Sequence, residues 1–381
     1  MPDAMDLLAP VPHDSASRAR GRLEDQTNAA VEWLGRMRRD GGGWQAAPEP
    51  SVGELRVDAS GDHAPWSNAV KEILAQTEDL TTLWQVGVGK RQTAVGRGFT
   101  RWTDPLPTPA DVDVKGSTTG PKLQAMLDVN RDLEGTPVRP ARVMAARDEW
   151  YVPPSVEFNV DFETVSSLDD DFAHIPLRGG QELIFMIGCG HIEDSEWVFE
   201  CFTADSLTEP DEALIIDAWF AHMGTVRDRL APGAEPRVIH WSHAEVSWLE
   251  EAYYAAVKRH PEKDWPHPNW FDFLMRVVRE EPVVVRGAHG FGLKPITKAM
   301  HSLGLVETVW GDGPVDGFGA MVGAWWCSGE AERLGMPLGA LELMQEIRAY
   351  NEVDCRAMME MVRCLRRSHR CSRIFRASVI C

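Results

Sequence analysis

Two acidic residues alternate with apolar residues in the segment Val156-Glu-Phe-Asn-Val-Asp-Phe-Glu163. Side chains on a β-strand alternate with period two, so Asp161 and Glu163 would share one face while Val160 and Phe162 occupy the other. The two carboxylates would then lie about 6–7 Å apart along the strand, close enough to share one metal centre. An isolated D-x-E motif is better explained by a solvated acidic face on an amphipathic strand than by a metal centre. A metal site therefore requires further ligands from other parts of the chain.

A third carboxylate, Glu245, stands at the start of a helix that the sequence predicts from about residue 243. With a period of 3.6 residues, its inward stripe contains Glu245, Trp248, Leu249, Ala252 and Ala256. Burying a carboxylate there is costly unless it is paired or bound to a metal ion. A first-turn glutamate that interacts with the helix dipole explains the position equally well.

A fourth carboxylate, Asp354, lies on the apolar face of a long helix predicted over residues 341–366. The inward stripe of this helix contains Leu343, Ile347, Tyr350, Asp354, Met358, Met361 and Leu365. Aspartate has poor propensity inside a helix and is costly to bury, so another interaction must offset both penalties. A bound divalent cation would do so, and the alternative is a buried salt bridge to an arginine such as Arg356 or Arg363.

Four carboxylates suit two Mg²⁺ or Mn²⁺ ions held roughly 3.5–4 Å apart. In such a site one ion activates a water molecule and the other stabilises a leaving 3′-oxygen. The Tyr350 hydroxyl, four residues before the last acid, would position the attacking water. We therefore predict that Asp161, Glu163, Glu245, Tyr350 and Asp354 are catalytic and that the four carboxylates are the metal ligands.

The elements around the acidic strand predict how these residues are positioned. Apolar runs at 183–188 and 197–202 are typical of two further strands, which would form an antiparallel meander with the first. An amphipathic helix over 210–230, a short buried strand at 237–241 and the helix from about 243 follow. This β-β-β-α-β-α order is that of the ribonuclease H fold. We therefore predict an α/β domain with a mixed sheet, antiparallel meander plus parallel strands, flanked by helices.

These motifs together resemble the DEDD superfamily of 3′→5′ exonucleases, in its tyrosine-bearing branch. The resemblance is closest to the exonuclease domain of predicted RecB-family nucleases, and it covers roughly residues 156–366. The matching segments are Val160-Asp-Phe-Glu-Thr164, His240-Trp-Ser-His-Ala-Glu245, Phe271-Asp-Phe-Leu274, Phe291-Gly-Leu-Lys-Pro-Ile296 and Tyr350-Asn-Glu-Val-Asp354. Proofreading exonucleases have aspartate where Glu245 stands, whereas the RecB-like branch also has glutamate there. The resemblance implies two-metal 3′→5′ hydrolysis of nucleic acid, with DNA as the expected substrate.

The remaining segments predict the domain organisation. Residues 1–25 have the composition of a disordered tail, residues 26–150 form a mainly α-helical region, and residues 151–368 form the ribonuclease H-like domain. Residues 369–381 are a basic tail. In related proteins a second nuclease domain often accompanies this one. The sequence shows no sign of it, so the chain is either a standalone or a truncated form, and a nuclease or helicase domain on another chain is a candidate partner.

Three basic residues are candidates for contacts with the nucleic-acid backbone. Lys90 and Arg91 follow a Gly-x-Gly turn between two predicted helices, a pattern that resembles a helix–hairpin–helix. The glycine spacing is not the usual one, and a plain tight turn explains the segment at least as well. Lys294 is either a ligand for a substrate phosphate or an ordinary surface lysine.

Charge and cysteine usage limit the classes of function. A net charge of −19 and a pI of about 5.1 argue against a protein that coats nucleic acid through bulk electrostatics, but not against local phosphate contacts. A run of six arginines without an acid between residues 363 and 376 is either a nucleic-acid contact or a solvated helix end. Seven cysteines, an odd number without C-x-x-C, indicate a reducing, cytoplasmic location. We expect no contact with a membrane, since no apolar run approaches about 18 residues.

A second class of function also agrees with the sequence. The chain could keep the ribonuclease H-like fold as a non-catalytic module that binds nucleic acid or promotes assembly. The glutamate at position 245 and the acidic net charge favour this alternative.

Overall fold

The computed structural model describes residues 23–60, 63, 66–104, 108–165, 183–242, 248–311 and 317–370. Three predicted features lie outside these ranges: nearly all of the N-terminal tail, Glu245, and most of the basic C-terminal tail. The chain separates into two compact units, Met1–Pro107 and Thr108–Cys381. The sequence pattern places this boundary near residue 150, whereas the structure joins residues 108–150 to the unit that contains the sheet.

The first unit contains three α-helices in its described part: α1 (Leu23–Asp40), α2 (Ser67–Thr77) and α3 (Val88–Gly96). A buried ion pair stabilises the unit, since the Asp79 carboxylate is 1% exposed and lies 3.1 Å from guanidinium nitrogens of both Arg56 and Arg91. The same carboxylate accepts from the backbone N–H of Thr81 and begins a short 3₁₀ turn there.

The elements of the second unit follow in this chain order: α4 (Thr119–Arg131), β1 (Val138–Arg139), α5 (Arg147–Trp150), β2 (Glu157–Val165), β3 (Leu183–Glu193), β4 (Glu196–Thr203), α6 (Glu209–Leu230), β5 (Arg237–His240), α7 (Trp248–Arg259), β6 (Asn269–Asp272), β7 (Val284–Val285), α8 (Leu293–Ser302), α9 (Gly317–Leu334) and α10 (Glu342–Arg370). The short strands β1 and β7 pair with each other in a separate ribbon. No helix in the described part of the chain is both long and apolar enough to cross a membrane.

Within the described residues, five strands form one mixed sheet in the order β4-β3-β2-β5-β6. β2, β3 and β4 are antiparallel, whereas β5 is parallel to β2 and β6 is parallel to β5. The predicted class, an α/β domain with an antiparallel meander and parallel strands flanked by helices, is therefore confirmed. The sequence pattern did not predict β6.

The central strand β2 is covered on both faces. Phe158 and Val160 are fully buried, and the Phe162 ring packs edge-on against Trp219 of α6, with 5.6 Å between ring centroids. On the other face, beneath α10, Glu163 is only 6% exposed. A solvated acidic face therefore does not describe this strand, since its acidic side lies under a helix.

The long helix α10 presents an apolar stripe to the sheet, as its sequence periodicity predicts. Four members of the predicted stripe are at most 1% exposed: Ile347, Met358, Met361 and Leu365. Burial of this stripe fixes the rotation of α10, and Asp354 on the same stripe therefore faces β2.

Candidate metal centre

Three of the four predicted carboxylates meet between β2 and α10. One oxygen each from Asp161, Glu163 and Asp354 lies within 4.8 Å of the other two. Oxygen ligands of a divalent cation lie at about 2.0–2.6 Å from the ion, so oxygens that share one ion are at most roughly 5 Å apart. The spacing of the three carboxylates therefore fits one shared cation. The fourth candidate, Glu245, lies in the segment 243–247, outside the described residues.

The electrostatics of the cluster are unfavourable without a proton or a cation. Burial raises the pKa of Asp161 to about 7. Burial also raises the pKa of Glu163 and of Asp354 well above their usual ranges, and repulsion by the Asp161 carboxylate adds to both shifts. Buried like charges are costly, and a bound cation would remove most of this cost. Three carboxylates with no sulfur or imidazole among them are the hard oxygen ligands that Mg²⁺ and Mn²⁺ prefer.

The predicted arginine alternative for Asp354 is wrong in the described structure. Arg356 is directed to Glu360, with 3.5 Å between nitrogen and oxygen, and Arg363 contacts the sulfur of Met359. Two neutral donors form hydrogen bonds with Asp354 instead. Trp310 donates from Nε1 to Oδ1 across 3.1 Å, and a hydrogen bond from Tyr350 also favours the ionised carboxylate.

Lys294, in the first turn of α8, lies beside the carboxylates. Its Nζ is 4.4 Å from the centroid of the Tyr350 ring and 5.9 Å from that of Trp310. The positive charge of Lys294 lowers the pKa of Asp161, against the larger effect of burial, and it acts in the same direction on Glu163 and Asp354. The side chain therefore adds a positive charge at the edge of an acidic centre.

One buried residue of the centre is absent from the sequence-based prediction. Asn351 is fully buried, and its Nδ2 lies 3.2 Å from Asp161 Oδ2 and 3.5 Å from Glu163 Oε1. A signal for it exists in the sequence, because Asn351 falls on the apolar side of α10, four residues after Ile347. A neutral amide on an apolar helix face indicates a functional site less strongly than a charged side chain does. Only the structure shows what the Asn351 amide contacts.

The two basic candidates of the first unit differ in their surroundings. Arg91 is 4% exposed, and besides Asp79 it donates to the carbonyl of Val57 across 2.6 Å. Its guanidinium is thus committed to the interior of that unit. Lys90 donates to the carbonyl of Gln85 across 2.7 Å and is partly exposed.

Asp272 is the last residue of β6, and its hydrogen bonds stabilise the local structure. It accepts hydrogen bonds from the Ser242 hydroxyl at 2.6 Å and from the backbone N–H of Met275 at 3.0 Å. The second bond begins the single π-helical turn at Leu274–Val278. Asp272 therefore links the ends of two parallel strands.

Comparisons of the chain with protein-family models, curated proteins and solved structures found no match.

Proposed function

We propose that the second unit is a metal-dependent nuclease that hydrolyses phosphodiester bonds of DNA in the 3′→5′ direction. The observation that supports this proposal most strongly is the cluster of Asp161, Glu163 and Asp354, whose oxygens lie within 4.8 Å of one another. A central strand and a distant helix contribute these three side chains, and Tyr350 is hydrogen-bonded to one of them. Such a buried acidic cluster is costly to fold around unless it binds a cation.

The strand order supports the finer assignment of the fold as ribonuclease H-like. The first strand of the sheet is central, two antiparallel neighbours follow it on one side, and two parallel strands follow on the other. In that fold the central strand presents acidic residues toward a cleft, and the central strand β2 carries Asp161 and Glu163 on one face. The resemblance to tyrosine-bearing DEDD exonucleases of the RecB-like branch, and its two-metal mechanism, are part of the proposal.

The predicted site residues would have the following roles. Asp161, Glu163 and Asp354 would hold a divalent cation, and Glu245 would complete the site for a second one. A bound Mg²⁺ or Mn²⁺ supplies Lewis acidity and lowers the pKa of coordinated water. Tyr350, which is hydrogen-bonded to Asp354, would orient the attacking water through its hydroxyl group. Lys294 would hold a non-bridging phosphate oxygen of the substrate.

The location and partners of the protein are part of the same proposal. The described cysteines Cys189, Cys201, Cys327, Cys355 and Cys364 are free thiols, which fits a reducing, cytoplasmic compartment. A partner nuclease or helicase domain on another chain would deliver strand ends to the site.

The test is an end-labelling assay on the full chain. Single- and double-stranded DNA labelled at the 3′ or the 5′ end is incubated with Mg²⁺ or Mn²⁺, with EDTA as the metal-free control. The proposal predicts early release of the 3′ label as mononucleotide and a shortening ladder from the 5′ label. Asp161→Asn should abolish both, whereas Asp194→Asn, in the β3–β4 turn, should leave them unchanged.

The alternative of a non-catalytic nucleic-acid-binding module gives a different result. Its motivation is the net charge of −19 together with the glutamate at position 245. It predicts no hydrolysis of any labelled strand by the wild type, and DNA affinity that is the same in EDTA and in Mn²⁺. Equal hydrolysis by the wild type and Asp161→Asn would contradict the nuclease proposal directly.

A further inference from the structure

The Asn351 side chain contacts two of the candidate metal ligands, Asp161 and Glu163. The side chain is fully buried, and its amide nitrogen donates to Asp161 Oδ2 at 3.2 Å and reaches Glu163 Oε1 at 3.5 Å. The two acceptors belong to alternate residues of one strand, whereas the donor belongs to a helix on the opposite side of the centre. The amide therefore fixes both carboxylates relative to α10, which contributes Asp354.

The amide is suited to this position because it is neutral. A lysine or arginine there would stabilise the same carboxylates, but its charge would compete with a cation for them. An amide N–H favours ionised carboxylate oxygens and leaves their remaining lone pairs available. Its orientation is also determined, since turning the amide over would bring Oδ1 against the two acidic oxygens.

The space for Asn351 depends on Gly188 of β3. Gly188 is the register partner of Asp161 across the two antiparallel strands. A Cβ atom added at Gly188 would lie 1.7 Å from Asn351 Oδ1 and 2.9 Å from Asn351 Cγ. Any larger residue at position 188 would therefore displace the amide. The glycine is required here for close approach of a side chain, and not for a special backbone conformation.

We propose that Asn351 and Gly188 form a positioning pair that sets the orientation of Asp161 and Glu163 for a shared divalent cation. This inference rests on the proposed function, because it assigns a role within the same metal centre. Asn351 touches neither substrate nor cation in this account. It acts through the two carboxylates, and Gly188 acts through Asn351.

The experiment is titration calorimetry of the full chain with Mn²⁺ alone, without substrate. Asn351→Ala should weaken Mn²⁺ binding by roughly 10- to 100-fold, the range typical when a hydrogen-bond partner of a metal ligand is removed. Gly188→Ala should weaken binding to a similar extent although it removes no polar group. Asn351→Ser is the fallback if the alanine variant does not fold, with the same expectation.

The double variant tests whether the two residues act through one contact. In Asn351→Ala the amide is gone, so an added Cβ at Gly188 meets chiefly Phe199 Cε2 at 3.1 Å, which a small shift of the ring relieves. The Mn²⁺ dissociation constant of the double variant should therefore equal that of Asn351→Ala alone. Independent effects would multiply instead.

A matched control separates positioning from ordinary stability. Asn130 is also buried, at 7% exposed, and its amide nitrogen donates to the carbonyls of Met126 and Ala288. Asn130→Ala should lower the melting temperature but leave the Mn²⁺ dissociation constant unchanged.

The outcomes distinguish this inference from the proposed function. If the wild type binds no Mn²⁺, both are overturned. If the wild type binds Mn²⁺ and Asn351→Ala binds it equally well, only the positioning role is overturned. Multiplicative effects of the two substitutions would overturn the pairing with Gly188.

Discussion

The indole of Trp310 donates a hydrogen bond to the Asp354 carboxylate, with 3.1 Å between Nε1 and Oδ1. Both side chains are nearly inaccessible, at 8% and 9% exposed, so water cannot replace this bond. Trp310 follows α8, and Asp354 lies in the middle of α10. The bond therefore connects the segment that follows α8 to the metal centre. It stabilises the ionised form of a carboxylate whose pKa burial raises.

Trp310→Phe removes the donor and keeps an aromatic ring. A hydrogen bond to a charged group contributes about 1.5–3 kcal/mol, so we expect the Mn²⁺ dissociation constant to rise by roughly tenfold or more. Calorimetric titration measures this constant directly. Trp326→Phe on α9 is the control, because Trp326 is 58% exposed and its substitution should have no effect. Equal affinity of Trp310→Phe and the wild type would show that the indole bond does not support the centre.

The pH dependence of stability should reveal the raised pKa of the Asp161 carboxylate. Burial raises its pKa from 3.8 to about 7, so between these values the folded state holds a proton that the unfolded state has lost. In EDTA this group therefore stabilises the protein fully below about pH 4, and the contribution is lost as the pH rises through about 7. One proton corresponds to a slope of about 1.4 kcal/mol per pH unit within that window.

Urea unfolding in EDTA at a series of pH values measures this slope. The fall in unfolding free energy between pH 5 and pH 7 should be steeper for the wild type than for Asp161→Asn, which cannot titrate. With Mn²⁺ bound, the unfolding free energy should instead increase with pH, because the cation binds the deprotonated carboxylates. The Mn²⁺-induced rise in melting temperature should therefore grow with pH. Identical pH profiles of the two proteins in EDTA would contradict the raised pKa of Asp161.

Lys294→Met tests the proposed contact with a substrate phosphate. Methionine keeps much of the apolar stem against the Tyr350 ring and removes the charge. Loss of one charge-assisted hydrogen bond to phosphate should raise KM for DNA by roughly tenfold, with a smaller change in kcat. Lys298→Met, one turn further along α8 and exposed, should leave KM unchanged. Steady-state kinetics that show the same KM for both variants would exclude Lys294 from substrate binding.

Arg366, in the basic C-terminal run, has a structural role. It forms a two-pronged ion pair with Glu157, at 2.8 and 2.7 Å, and the two side chains are only 10% and 15% exposed. Arg366→Ala would leave the Glu157 carboxylate buried without its partner, so we expect a loss of about 3–5 kcal/mol in unfolding free energy. Arg363→Ala, an exposed neighbour, should change stability by less than about 0.5 kcal/mol. Equal urea midpoints for the two variants would contradict a structural role of Arg366.

The residues on strongly periodic elements were the ones that the sequence could predict. Asp161 and Glu163 alternate with buried apolar residues, and Asp354 interrupts a long apolar stripe, so their faces follow from periods of 2 and 3.6 residues. The order of strands and helices follows from the same periodicity. The approach of Asp354 to the β2 acids depends on the packing of α10 across the sheet, for which the sequence offers only the family resemblance.

The remaining parts of the site depend on contacts that local patterns do not encode. β6 has only four residues, Asn269–Asp272, and its aromatic and acidic composition resembles a helix start as much as a strand. Trp310 lies in an irregular segment without periodicity, so its bond to Asp354 is a purely tertiary contact. The requirement for Gly188 is visible only when Asn351 is placed opposite it.

Anomalous diffraction from crystals of the full chain soaked in Mn²⁺ shows directly whether Asp161, Glu163 and Asp354 form one cation site. We expect an anomalous peak between β2 and α10 that contacts an oxygen of each of the three carboxylates, and no such peak in crystals of Asp354→Asn. A Mn²⁺-soaked wild-type crystal with no peak among these three side chains would show that they do not share a cation.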